Sequence, residues 1–239
     1  MAKEYQVSDL VKEIRVAIDS NLESDQLATI GDMDQLALEE IIGSKIAEAA
    51  RIVVLNAPSY LLDGAATIPV APASSRASAL SDEEDDDDTG DGDPKDPSIE
   101  WETTAGRISL PGDFLRLVSF KMSDWSYAVS EAISQTDPLY AQQFSRYGGL
   151  RGCPQRPVVA IVPRGTGLVL EFFSCKGEGL ATVDHALYMQ IPSVENGTIK
   201  LCEKLHDATV YYAAYLTAIS TGETALAEAL LGIVNELNK

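Results

Sequence analysis

The apolar residues of this chain recur at a helical period near both ends and at a strand period in the middle. That double switch limits the fold more than any single motif. In 7–18, Val7, Leu10, Val11, Ile14 and Ile18 form a stripe of about three turns, with Ser8 or Asp9 as candidate caps. In 34–55, an Asp34 N-cap and the acids Glu39 and Glu40 precede a face of Leu38, Ile41, Ile42, Ile46, Ala49, Ala50 and Val53, and Asn56 and Pro58 end it. Such a helix would be about 33 Å long. At the other end, Leu201, Leu205, Ala208, Tyr212, Tyr215 and Ile219 follow a 4-3-4-3-4 spacing, a narrow seam expected to pack on helix 34–55. Ser220-Thr221-Gly222-Glu223 reads as a capping box that breaks the helix, and Leu226, Leu230, Ile233 and Leu237 mark a second one.

The middle is different. Stretch 110–125 opens with the turn residues Pro111-Gly112-Asp113 and continues as a strand, Phe114, Arg116, Val118, Phe120 and Met122 alternating with Leu115, Leu117, Ser119 and Lys121. Leu115 and Leu117 imply that the second face is partly covered. Short strands are expected at 67–70, 99–104 and 107–110, the last two around an Ala105-Gly106 turn. After an Asp137-Pro138 helix start that should run to about Tyr147, strands follow at 157–162, 168–173 and 185–191. The expected fold is therefore α+β: helical scaffold segments at 1–64 and 201–239, and a β-rich insertion at 65–200 with an acidic loop at 82–96.

The net charge is −19. Between Asp82 and Asp96 ten acids stand against one lysine, and the remainder is still acidic, so adhesion to nucleic acid is disfavoured. No apolar run is long enough to span a membrane, and the N-terminus lacks a signal-peptide pattern. Three cysteines, an odd number without CxxC spacing, fit a reducing compartment, so a soluble cytoplasmic product is expected.

The chemistry-bearing residues are few. Asp85, Asp87, Asp91, Asp93 and Asp96 approximate calcium-loop positions around Gly90, but Thr89 is a poor ligand, Pro94 intrudes, and neither flank is an amphipathic helix. Cys175, His185, Cys202 and His206 lack the close pairing of a zinc site, although Cys202 and His206 lie four apart. No metal or cofactor is expected. GxSxG, P-loop, dinucleotide and HExxH motifs are absent, and no enzymatic activity is expected. One basic cluster stands out, Arg146, Arg151, Arg156 and Arg164, interleaved with Phe144 and Tyr147. Its two readings are a phosphate-contacting patch and intersubunit ion pairs with acidic neighbouring copies; the overall charge favours the second.

An ordered series of motifs carries a family resemblance: Leu-Pro-x-Asp-Phe-Leu-Arg-Leu-Val-Ser-Phe-Lys-Met-x-x-Trp at 110–125, then Asp137-Pro138-x-Tyr140-x-x-Gln143-x-Ser145-x-Tyr147, Cys153-Pro154-x-x-Pro157-Val158, and Tyr211-Tyr212-Ala213-Ala214-Tyr215-Leu216. Over about 34–60 and 107–239 the chain resembles head–tail connector (adaptor or ring) proteins of tailed phages, particularly crAss-like and related phages of Bacteroidetes. The acidic segment 82–96 departs from that pattern as an inserted loop. The resemblance implies a virion protein of the neck, assembled in the bacterial host cytoplasm into a homo-oligomeric ring, usually of twelve copies. Such a ring binds the portal, extends the DNA channel without specific DNA binding, and docks further neck or tail proteins. The interface candidates are then Lys121, Trp125, Arg146, Tyr147, Arg151, Arg156, Gly222, Leu226, Leu230 and Ile233. The alternative reading is an acidic DNA mimic that inhibits a host nuclease or restriction enzyme, supported by the charge but not by its concentration in one glycine-containing loop.

Overall fold

The computed structural model describes residues 2–21, 35–70, 100–102, 105–165, 167–176 and 181–237. The chain is mixed α+β and divides into two compact units. Unit 1 takes 1–65 and 189–239, both ends of the chain; unit 2 is the continuous stretch 66–188. Residues 189–200, expected in the β-rich segment, thus group with the helical ends.

Unit 1 holds strand β1 (Ala2–Gln6) and helices α1 (Val7–Asn21) and α2 (Gln35–Asn56). From the other end of the chain it takes β10 (Val194–Glu195) and β11 (Thr198–Cys202). Helices α4 (His206–Thr221) and α5 (Thr224–Leu237) complete it. Strand β11 is the centre of an antiparallel sheet, with β1 on one side and β10 on the other. Glu195 pairs with Thr198, so Asn196-Gly197 is a two-residue hairpin turn, both residues at positive φ, 51° and 77°.

The helices α2 and α5 both pack on α4. Their contacts use small residues: Ala49, Ala50, Ala213, Ala214 and Ala218 are fully enclosed, with Ile42, Ile46, Leu226 and Leu230 filling the space between. The expected seam along α4 is therefore corrected. Leu205 and Ala208 are buried as expected, but Leu201 lies in β11, and the buried face runs on through Val210, Ala213, Ala214, Thr217 and Ala218, while Ile219 is 51% exposed. Alanines permit a close backbone approach that tyrosines would block, so Tyr212 and Tyr215 sit at its flank. Thr209 and Thr217 stay satisfied by donating to the carbonyls of Leu205 and Ala213, 2.8 and 2.9 Å. The break comes at Gly222, φ 85°, whose N–H closes on Ala218 and Ile219 while Glu223 N donates to Ala218 O, a left-handed C-terminal cap. Ser220, expected to cap the next helix, instead donates to Leu216 O.

Unit 2 contains a three-stranded sheet in the order β2 (Ala66–Thr67), β9 (Val183–Gln190), β5 (Phe114–Met122). A second sheet has the order β3 (Glu100–Glu102), β4 (Ala105–Ser109), β8 (Gly167–Phe172), β7 (Val159–Arg164), β6 (Ile133–Ser134). Strand β5 buries Phe114, Leu117, Phe120 and Met122, so both of its faces are covered. Phe120, Phe172, Ile108 and Leu170 anchor the core. Gly106 is a strand residue rather than a turn: a Cβ there would lie 2.3 Å from the Phe172 ring on the paired strand.

Leu230→Ala should cost about 2–5 kcal/mol, since the tightly packed alanines around it cannot collapse into the cavity. Chemical denaturation would read this as a lower midpoint with an unchanged slope. A loss below about 1 kcal/mol would contradict the packing described.

Candidate interaction surface

The surface is built outward from one buried carboxylate. Asp137 caps helix α3 (Pro138–Gln142) by accepting from Leu139 N at 2.8 Å, and Pro138 supplies the pre-set first turn. The helix buries Tyr140, whose hydroxyl donates to Glu171 Oε2 at 2.9 Å. Glu171 lies on β8 with its side chain 3% exposed. Its other oxygen accepts from Arg164 on β7, at 2.6 Å to Nε, and faces Arg107 on β4 at 3.3 Å. Burial, the hydrogen bond to Glu171 and its charge push the Tyr140 phenol above its ordinary value of 10.0. The same carboxylate holds the Arg164 guanidinium protonated beyond its ordinary range.

Beyond α3 the chain folds over buried Gln143, whose amide donates to Leu139 O at 2.9 Å and whose oxygen accepts from Gly152 N at 2.7 Å. Gly152 has no room for a side chain, because a Cβ would meet Ser174 Oγ at 2.2 Å. Ser174 in turn accepts from Val158 N through its hydroxyl and from the Trp125 indole through its carbonyl, 3.0 and 3.1 Å. Cys153 and Arg156 close a tight turn, and Ser126 N donates to Pro154 O at 2.9 Å. The loop 143–156 is thus pinned at several points along its inner side.

Its outer side carries Phe144, Tyr147 and Leu150, 60%, 58% and 55% exposed, with Leu139 beside them. Phe144 meets Tyr140 and Phe173 edge-on at 5.3 and 5.7 Å, which fixes its orientation. The guanidinium of Arg146 lies 4.8 Å over the Tyr147 ring and donates to its hydroxyl at 2.7 Å. Arg151 donates to Ser145 O, and Arg156 to Gly149 O at 3.3 Å. Every one of these partners is neutral, and none of the three arginines forms an ion pair among the described residues. Aromatic side chains and arginine together are the composition enriched at protein–protein contacts.

The structure brings Arg146, Tyr147, Arg151 and Arg156 together and separates Arg164, which serves the buried carboxylate. Two other candidates are corrected. Trp125, 4% exposed, packs against Phe120 and spends its N–H on Ser174, so it braces the loop from within. Leu226 and Leu230 are core residues of unit 1, since α5 turns that face toward α4. Ile233 is half-buried and Gly222 exposed, while Lys121 pairs with Asp184 at 3.1 Å. The five aspartates at 85–96 lie outside the described residues. Sequence reasoning missed Leu139 and Leu150, apolar residues beside Pro138 and Gly149, and the bracing residues Gln143, Ser174 and Glu171.

The remaining chemistry is dispersed. Cys202 Sγ donates to Asp63 O, and burial raises its thiol. His206 stacks on Tyr5 and reaches Glu13 at 3.0 Å. Ser119 Oγ and His185 Nε2 are 2.8 Å apart across neighbouring strands, but Asp184 lies 3.8 Å from the other ring nitrogen and engages Lys121. No group of three or more metal-ligating side chains is gathered among the described residues, and no described helix is long and apolar enough to cross a membrane. Compared with known proteins, the chain matches no family model and shows no significant similarity to a curated protein.

The raised Tyr140 phenol predicts an alkaline effect of definite sign. The unfolded chain loses this proton near pH 10 while the native state keeps it, so the contribution is present below pH 10 and is lost as pH rises through the native value. Stability should fall from about pH 10 upward, and Tyr140→Phe should make that fall shallower. Urea denaturation of both proteins between pH 8 and 11 would show it; parallel slopes would contradict the buried phenol–carboxylate bond.

Proposed function

We propose that this chain is a structural subunit of a phage neck ring, joining the portal vertex to the tail and lengthening the DNA channel. The observation that carries the reading is the outward-facing arginine–aromatic surface, held by buried hydrogen bonds and charged oppositely to the rest of the chain. A cationic patch on an acidic protein is not complementary to itself. It fits a different surface on the next copy, and such head-to-tail contacts close into rings when the rotation permits. In this reading unit 1 is the helical scaffold, unit 2 is the β insertion, and the arginines mediate contacts between copies or with the portal. Acidic side chains toward a lumen would repel the phosphate backbone and let DNA slide. The ordered motifs at 110–125, 137–147, 153–158 and 211–216 give independent support. No catalytic role is assigned.

Mass measurement and electron microscopy of the purified protein, alone and with portal and tail proteins, test this. Closed multimers are expected, and full-length R146E/R151E/R156E should weaken self-association at least tenfold, or about 1.4 kcal/mol. Monomers under every condition would overturn the reading.

A further inference from the structure

We propose that the acidic run between Asp82 and Asp96 of one copy occupies the Arg146–Arg151–Arg156 surface of the next. The inference rests on the ring reading above and names the partner of that surface.

The arginine loop and the acidic run carry opposite charge surpluses. Among the described residues, acids commonly meet a cation of their own unit: Asp9 with Lys12 at 3.0 Å, Glu48 with Lys45 at 3.3 Å, Asp63 with Lys204 at 3.5 Å, and Asp184 with Lys121 at 3.1 Å. The arginines of the loop meet backbone and hydroxyl oxygens, a ring and the Cys153 thiol, and none forms an ion pair with an acid among the described residues. The acidic run is the converse, ten carboxylates with Lys95 as the single cation within it. These two surpluses are complementary in sign.

The chemistry of each side suits the other. Between Asp82 and Asp96 there is no large apolar residue, so association of this run draws on charge rather than on burial. Guanidiniums accept carboxylates in a planar, two-point geometry, and Arg146 is already oriented by the Tyr147 ring. Reach is sufficient. Between Val70 and Glu100 stand 29 residues, and a chain of that length at about 3.3–3.6 Å per extended residue has a reach of up to about 45 Å from those anchors. Donation to a neighbour uses each run and each surface once around a ring, so every arginine surface meets an acidic run.

The test uses a fluorescein-labelled peptide of residues 80–97 and the full-length protein, followed by anisotropy. The peptide should bind full-length protein whose own run is neutralised, bind at least tenfold more weakly when that protein also carries R146Q/R151Q/R156Q, and weaken steeply in 0.5 M salt. The same peptide with its acids changed to Asn and Gln should not bind. The triple variant replaces exposed side chains, and an unchanged thermal transition would certify its fold. Equal binding with and without the three arginine changes, or no binding to the run-neutralised protein, overturns the proposal. Sizing separates the two readings: rings that form equally well with the run neutralised sink this inference alone, whereas peptide binding at the arginines of a chain that never assembles keeps the pairing and sinks the ring.

Discussion

The carboxylate of Glu171 is the interaction on which the outward-facing surface depends. It stands on the central strand of the five-stranded sheet and binds Tyr140 from α3 and the guanidiniums of Arg164 and Arg107 from the flanking strands. An ionised carboxylate in that position is tolerable because each oxygen has a donor; with one partner removed, the desolvation of the charge would be uncompensated. Tyr140 in turn sets the position of α3, and just past its end stands Gln143, the residue that receives Gly152 and folds the arginine loop back on the sheet. Rigidity therefore passes from a buried ion pair to an exposed patch through hydrogen bonds that can all be named.

This arrangement has an energetic logic. Presenting several large apolar side chains to water beside three guanidiniums costs solubility and gains nothing for an isolated subunit. Covering the surface would remove that cost, and a surface whose loop is already ordered loses less conformational entropy when it is covered. Unit 1 solves a different problem. Its alanine-rich contacts bring α2, α4 and α5 close together, with the stability in shape complementarity rather than in polar networks, and its buried threonines are satisfied within their own helix.

Much of the framework was legible in the sequence. Period and punctuation located α1, α2, the α4–α5 break at Gly222 and strand β5, because long amphipathic runs and a left-handed glycine leave local marks. Strand β1 was not legible: Ala2–Gln6 contains one large apolar residue, and it is a strand because β11 pairs with it. The Asn196-Gly197 turn was legible and was overlooked. The α4 face was misread because tyrosine spacing outweighed the alanines, although close helix packing rewards the smaller residue. Trp125 was misjudged because a tryptophan near turn residues suits a contact site as well as a core; only the sheet placed Ser174 within reach of its indole. For the surface itself, the arginine–aromatic composition was visible, whereas the bracing by Gln143, Gly152, Ser174 and Glu171 is long-range and has no sequence period.

The most direct measurement of the central claim is a cryo-electron microscopy map of the protein mixed with the portal protein proposed as its partner, at a resolution that traces side chains. The expected result places Arg146, Tyr147, Arg151 and Arg156 in a contact between chains, with acidic density against the guanidiniums and the loop 143–156 conformation unchanged. An assembled particle in which these residues face bulk solvent would contradict it.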